Sequence, residues 1–110
     1  MKKQLLALIL AMLLSIPSFA IESRSQIPTL TFSGTTATCQ GIVSSSGARI
    51  EAELTLWHGN TIVDSWSKSG NNYVLINETC RVSDGETYTL TLTGTINGVE
   101  FTETSVTRTC

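Results

Sequence analysis

Residues 49 to 56 constrain the chain more than any other segment, because Ile50, Ala52, Leu54 and Leu56 alternate with Arg49, Glu51, Glu53 and Thr55. Successive side chains of a strand point to opposite faces, so this octet predicts a half-buried strand with a core face and a solvent face. Downstream of residue 20 the composition suits the same geometry. There, 17 Thr, 7 Ile, 6 Val and two each of Phe, Trp and Tyr make up 36 of 90 residues, the β-branched and aromatic kinds that pack well on a pleated surface. Three Ala and one Lys leave little material for helices. Nowhere do apolar residues recur at helical spacing for more than a turn.

Six further alternations flank the octet, separated by turn residues at the spacing of a sandwich or barrel. Leu30 and Phe32 begin a first strand, closed by Ser33 and Gly34. Ala37, Cys39, Gly41 and Val43 share one face of a second, which Ser44, Ser45, Ser46 and Gly47 end before the octet forms the third. His58, Gly59 and Asn60 turn the chain into a fourth strand, Thr61 to Ser67, and Ser69 to Asn72 turn it again. Val74, Ile76, Cys80 and Val82 mark a fifth, with a bulge near Glu78, and Tyr88, Leu90 and Leu92 mark the sixth. Asn97 and Gly98 offer the positive backbone angles of a tight hairpin into the seventh, Val99 to Thr109. The expectation is one all-β domain, a seven-stranded antiparallel sandwich without linker or internal repeat.

Residues 1–20 read differently. Lys2 and Lys3 precede the apolar run Leu5 to Leu14, and Ser18 and Ala20 close it with small residues, the three parts of a secretory signal peptide cleaved after Ala20. Ten helical residues cover about 15 Å, half of a hydrocarbon core of about 30 Å, which favours export over anchoring. Ile21, rather than a lipid-accepting cysteine, follows the cleavage point. Residues 21–28 then form a short lead and residues 29–110 the domain. Five basic against nine acidic residues give the segment 21–110 a charge of −4, with no basic footprint for nucleic acid or an anionic membrane. The expected product is secreted and not membrane-inserted.

The run Val82, Ser83, Asp84, Gly85, Glu86, Thr87, Tyr88, Thr89, Leu90, Thr91, Leu92 resembles the corner between strands E and F of immunoglobulin-like sandwiches of the fibronectin type III kind. The resemblance extends over about residues 29 to 110. It implies that Tyr88 is a corner tyrosine, its ring in the core and its hydroxyl bonded to the backbone upstream. It also implies that Cys39, Cys80 and Cys110 gather at one pole. At least one disulfide is expected in an exported chain, with Cys39–Cys110 favoured because it would tie down a terminal strand, and Cys39–Cys80 the alternative. The spare thiol is then a buried inert cysteine or a handle for an intermolecular bond.

Chemistry is sparse. His58 is the sole histidine and no G-x-S-x-G sequence accompanies it, so serine hydrolysis has no visible constellation, and thiol catalysis by Cys80 with His58 lacks a local signature. No C-x-x-C or H-E-x-x-H occurs, and Glu78, Asp84 and Glu86 lack the dense alternation of a calcium loop. Glu51 and Glu53, about 7 Å apart on one strand face, read as a charged solvent face. No cofactor, metal or catalytic residue is expected. Trp57 breaks the parity of Leu54 and Leu56, and Trp66 lies on the next strand. Together they are the candidate partner surface, for stacking on a glycan or seating an extracellular protein, or else they cover the edge of the core. The expected function is a non-enzymatic extracellular binding or structural module of unknown ligand and oligomeric state, or alternatively a small effector or inhibitor of a host or competitor protein.

Overall fold

The computed structural model describes residues 24–110; the expected signal peptide lies outside them. The fold is all-β, an antiparallel sheet of six strands: β1 (Arg24–Ser33), β2 (Thr36–His58), β3 (Thr61–Arg81), β4 (Thr87–Ile96), β5 (Val99–Glu100) and β6 (Thr104–Thr109). It is compatible with a β-sandwich.

The count differs from the seven expected strands for an identifiable reason. Ser44–Gly47 and Ser69–Asn72, which announce chain reversals, meet at one irregularity of the β2–β3 ladder and bend a paired ribbon instead of turning it. Between the pairs Ser44↔Tyr73 and Arg49↔Asn71, β2 spends four residues against a single residue of β3. Gly47 and Asn72 there take positive φ, 73° and 72°, and the Gly47 N–H donates to Asn72 Oδ1 at 2.6 Å. The second and third expected strands are therefore one strand, β2, and the fourth and fifth are β3. The expected seventh strand is divided instead, since residues 101–103 leave the ladder between β5 and β6. Pairing also starts earlier than the sequence suggests. Arg24 opposes Ser45, which brings residues 24–28 of the expected lead into β1.

The bend gives the sheet two wings. In the first, β1 and the second half of β3 flank the first half of β2. In the second, the first half of β3 and β4 flank the second half of β2, and β6 lies beyond β4. Both wings feed one apolar cluster, with Leu30, Cys39, Val43 and Ile76 from the first and Ile50, Leu54, Leu56, Leu90 and Leu92 from the second. Gly41 fixes how closely they meet. A Cβ there would sit 3.0 Å from one Leu54 methyl and 3.1 Å from one Leu92 methyl, so a larger residue would push the wings apart. Asn97 clamps the bend from the opposite side: its side chain accepts from Arg49 N–H at 2.9 Å and its own N–H donates to Arg49 O at 2.7 Å.

Candidate binding face

With Leu90 and Leu92 committed to the core, the odd-numbered residues of β4 must face away from it. These are Thr87, Thr89, Thr91, Thr93 and Thr95, an unbroken outward column. Register extends the column into a grid. On one side Thr87, Thr89 and Thr91 oppose Thr109, Thr107 and Ser105; on the other Thr91, Thr93 and Thr95 oppose Thr55, Glu53 and Glu51. Beyond β2, Ser65, Ser67 and Ser69 oppose the same three residues. Neighbouring columns lie about 4.8 Å apart, so hydroxyls meet across the strands. Thr87 Oγ1 and Thr109 Oγ1 are 2.8 Å apart, Thr89 and Thr107 2.9 Å, and Thr55 and Ser65 3.1 Å. Ser65 also donates to Glu53 Oε2 at 3.1 Å, which orients that carboxylate.

Trp57 interrupts this polar field with one aromatic plane. It opposes Thr89 across β2 and β4, and its Nε1–H donates to Thr91 Oγ1 at 3.0 Å. An indole with a satisfied N–H is held at a defined angle and presents its apolar surface without an orphaned donor. At the other end of the face, Glu51, Glu53, Lys68, Thr93 and Thr95 border a shallow depression of about 440 Å³. A second, of about 420 Å³, shares Glu53 and Thr93–Thr95 and adds Glu100, Phe101 and Glu103. Four carboxylates and a single lysine thus border two adjoining depressions. Gly94, common to both, has φ of 151°, and a Cβ there would drive into the Glu51 carbonyl oxygen. The ensemble offers hydroxyl donors, carboxylate acceptors and one stacking plane, the inventory for gripping a hydroxyl-bearing molecule.

Trp66, the other half of the expected aromatic surface, is elsewhere. It opposes Leu54 on the inner face and packs against the core cluster, so the two tryptophans lie on opposite faces of the second wing. The register shift that moves the partner of Trp57 to Ile62, after Leu56↔Asp64, leaves Val63 as an extra residue. That bulge puts Ile62 with Trp57 and leaves Trp66 inside.

The remaining singled-out residues have assigned contacts. Tyr88 is 4% exposed, and its hydroxyl accepts from Ser83 N–H at 2.8 Å. His58 Nε2 and Glu86 Oε1 form an exposed pair at 3.0 Å beside the Tyr88 ring, 5.1 Å between centroids. Among the described residues no group of three or more His, Cys, Asp or Glu is placed to hold a metal. Cys39, Cys80 and Cys110 are free thiols. Cys39 and Cys80 lie diagonally across the β2–β3 ladder, opposite Glu78 and Ala37 respectively. The Cys110 thiol instead donates to Gly34 O at 3.3 Å. Burial first, then the neighbouring sulfur and Asp64, push the Cys39 thiol up to about 12; burial and the Asp64 charge raise Cys80 as well.

The threonine grid corresponds to no catalytic or metal motif; its signal in the sequence is the repeat T-x-T-x-T-x-T-x-T from Thr87 to Thr95. No family model, curated protein or solved structure matches the chain.

Proposed function

We propose that the chain is exported, sheds residues 1–20, and acts outside the cell as a non-enzymatic binding module with an immunoglobulin-like sandwich fold of the fibronectin type III kind. Dividing β2 and β3 at their bend turns the six strands into eight segments, seven once the two-residue β5 is set aside, with β1 beside one half of each long strand and the other halves beside β4 and β6. Support for the family reading comes from this arrangement and from the Tyr88–Ser83 bond. The observation that carries the functional reading is Trp57, pinned by Thr91 amid a flat field of hydroxyls. A sugar ring stacks on an indole through its C–H face and exchanges hydrogen bonds with hydroxyls and carboxylates around it, so a glycan is the ligand class we favour.

Glycan and extracellular-protein arrays probed with the purified domain test this. We expect glycan capture that Trp57→Ala abolishes and Arg81→Ala, on the outer face of the first wing, leaves intact. Glycan binding unaffected by Trp57→Ala removes the proposed face. Capture of a protein alone favours the effector or inhibitor reading, for which the edge of β3 left unpaired among the described residues, with exposed Ile62 and Val63, is the natural contact. Export is tested separately by N-terminal sequencing of the extracellular product, expected to begin at Ile21.

A further inference from the structure

Cys39 lies on the inner face of β2, fully buried, with Leu30 of β1 opposite it on one side and Glu78 of β3 on the other. Cys80 opposes Ala37, one inward position along, which makes Cys39 and Cys80 diagonal neighbours on the same face of adjacent strands. The third thiol is engaged elsewhere, by the Gly34 carbonyl beyond the end of β6. We infer that Cys39 and Cys80 are a redox couple that closes to a disulfide in an oxidising compartment, leaving Cys110 as the single free thiol.

The oxidant is a disulfide, RSSR, either a small molecule or an oxidoreductase. The Cys80 thiolate, the more accessible of the two, attacks one sulfur of RSSR and forms Cys80–S–S–R; RS⁻ departs and recovers the proton Cys80 gave up. The Cys39 sulfur then attacks Cys80 Sγ, forming Cys39–S–S–Cys80 and expelling the second RS⁻, which takes the Cys39 proton. Two thiols are oxidised and one RSSR is reduced to two RSH. A diagonal pair spans about 7–8 Å across the ladder, beyond the roughly 4.4–6.8 Å usual for a bridge, so closing the bond requires the backbones of β2 and β3 to draw together at this point.

Burial governs when this happens. A thiol held as firmly protonated as Cys39 is a poor nucleophile inside the finished fold, so the bond is expected to form while the ribbon is still open. Once Cys39 is buried in the core, the bond is equally shielded from reductants. The bond would staple the first wing and leave the second wing's outer face untouched.

The full chain, refolded in a glutathione couple, is alkylated under denaturing non-reducing conditions, digested and mapped by mass spectrometry. We expect a linked peptide pair containing Cys39 and Cys80, two hydrogens lighter than the separate peptides, and an alkylated Cys110. A Cys39–Cys110 or Cys80–Cys110 pair as the main species overturns the inference, as does alkylation of all three cysteines after refolding with excess oxidised glutathione. Thermal unfolding adds an independent measure. The oxidised protein should melt about 10 °C or more above the reduced one, and Cys110→Ser should keep that gap while Cys80→Ser abolishes it. A gap that disappears in Cys110→Ser and persists in Cys80→Ser contradicts it.

Discussion

Trp57 and Trp66 stand on adjacent strands of the same wing and answer to different surroundings. Trp66 packs on the core beside Leu54, while Trp57 lies over threonine hydroxyls with its N–H satisfied. The inner face of the second wing is therefore governed by burial and the outer face by polar complementarity, although both alternate along the same strands. The outer face of the first wing differs from both. It carries the register row Ile27, Ile42 and Leu75 beside Tyr73, with Ile27 and Tyr73 about half exposed.

If burial rules inside and complementarity outside, stability changes should rank by face. The largest loss is expected where backbone separates the two faces. Gly94→Ala forces a Cβ into Glu51 O and within 2.9 Å of Ala52 Cα, and should cost about 3 kcal/mol or more. Gly98→Ala, with positive φ but open space, should cost about 1 kcal/mol. Urea midpoints of the two variants decide the matter; equal shifts would disprove the close approach.

Next comes Trp66→Ala, expected to cost about 2 kcal/mol as a partly buried aromatic lost from the core edge. Trp57→Ala should cost under about 1 kcal/mol in the same denaturation while removing glycan binding. Reversal of that order would exchange the roles of the faces.

The pH dependence of the reduced protein probes the interior of the first wing. Cys39 holds its proton to about 12 in the fold against an ordinary 9 in the unfolded chain, so between those values the folded state binds the additional proton. Its contribution is complete below pH 9 and declines by about 1.4 kcal/mol per pH unit as pH rises towards 12. Denaturation of the wild type and Cys39→Ala across this range isolates the slope, and identical slopes would refute it.

A local effect is expected from Tyr88→Phe, which keeps the ring and strands the Ser83 N–H. About 1 kcal/mol of destabilisation is expected, with protection of the Ser83 amide in hydrogen exchange reduced ahead of its neighbours. Unchanged protection would mean water substitutes fully for the hydroxyl.

Much of this architecture is legible in the residues. The alternation Ile50–Leu56 marks the core face of β2, Asn97–Gly98 marks the β4–β5 turn, and Val82–Leu92 marks the turn that Tyr88 braces. What escapes is whatever depends on a partner strand. Ser44–Gly47 and Ser69–Asn72 carry the same turn chemistry whether they reverse a chain or bend a ribbon, and only their meeting across the ladder selects the bend. Period-two counting likewise puts Ile62 and Trp66 on one face, and the extra Val63 separates them. The first depression was hidden because Glu51, Glu53, Thr93 and Thr95 converge through register rather than through any motif.

The β2–β3 ribbon has a consequence for the order of assembly. Its two strands are joined by Gly59 and Asn60 alone, and pairing runs from His58↔Thr61 to Thr36↔Arg81. Each new pair closes only a small increment of chain, so the ribbon can zip outward from one local nucleus without a long loop to close. The remaining strands then dock on edges already laid down, and the bend settles which edge each one finds.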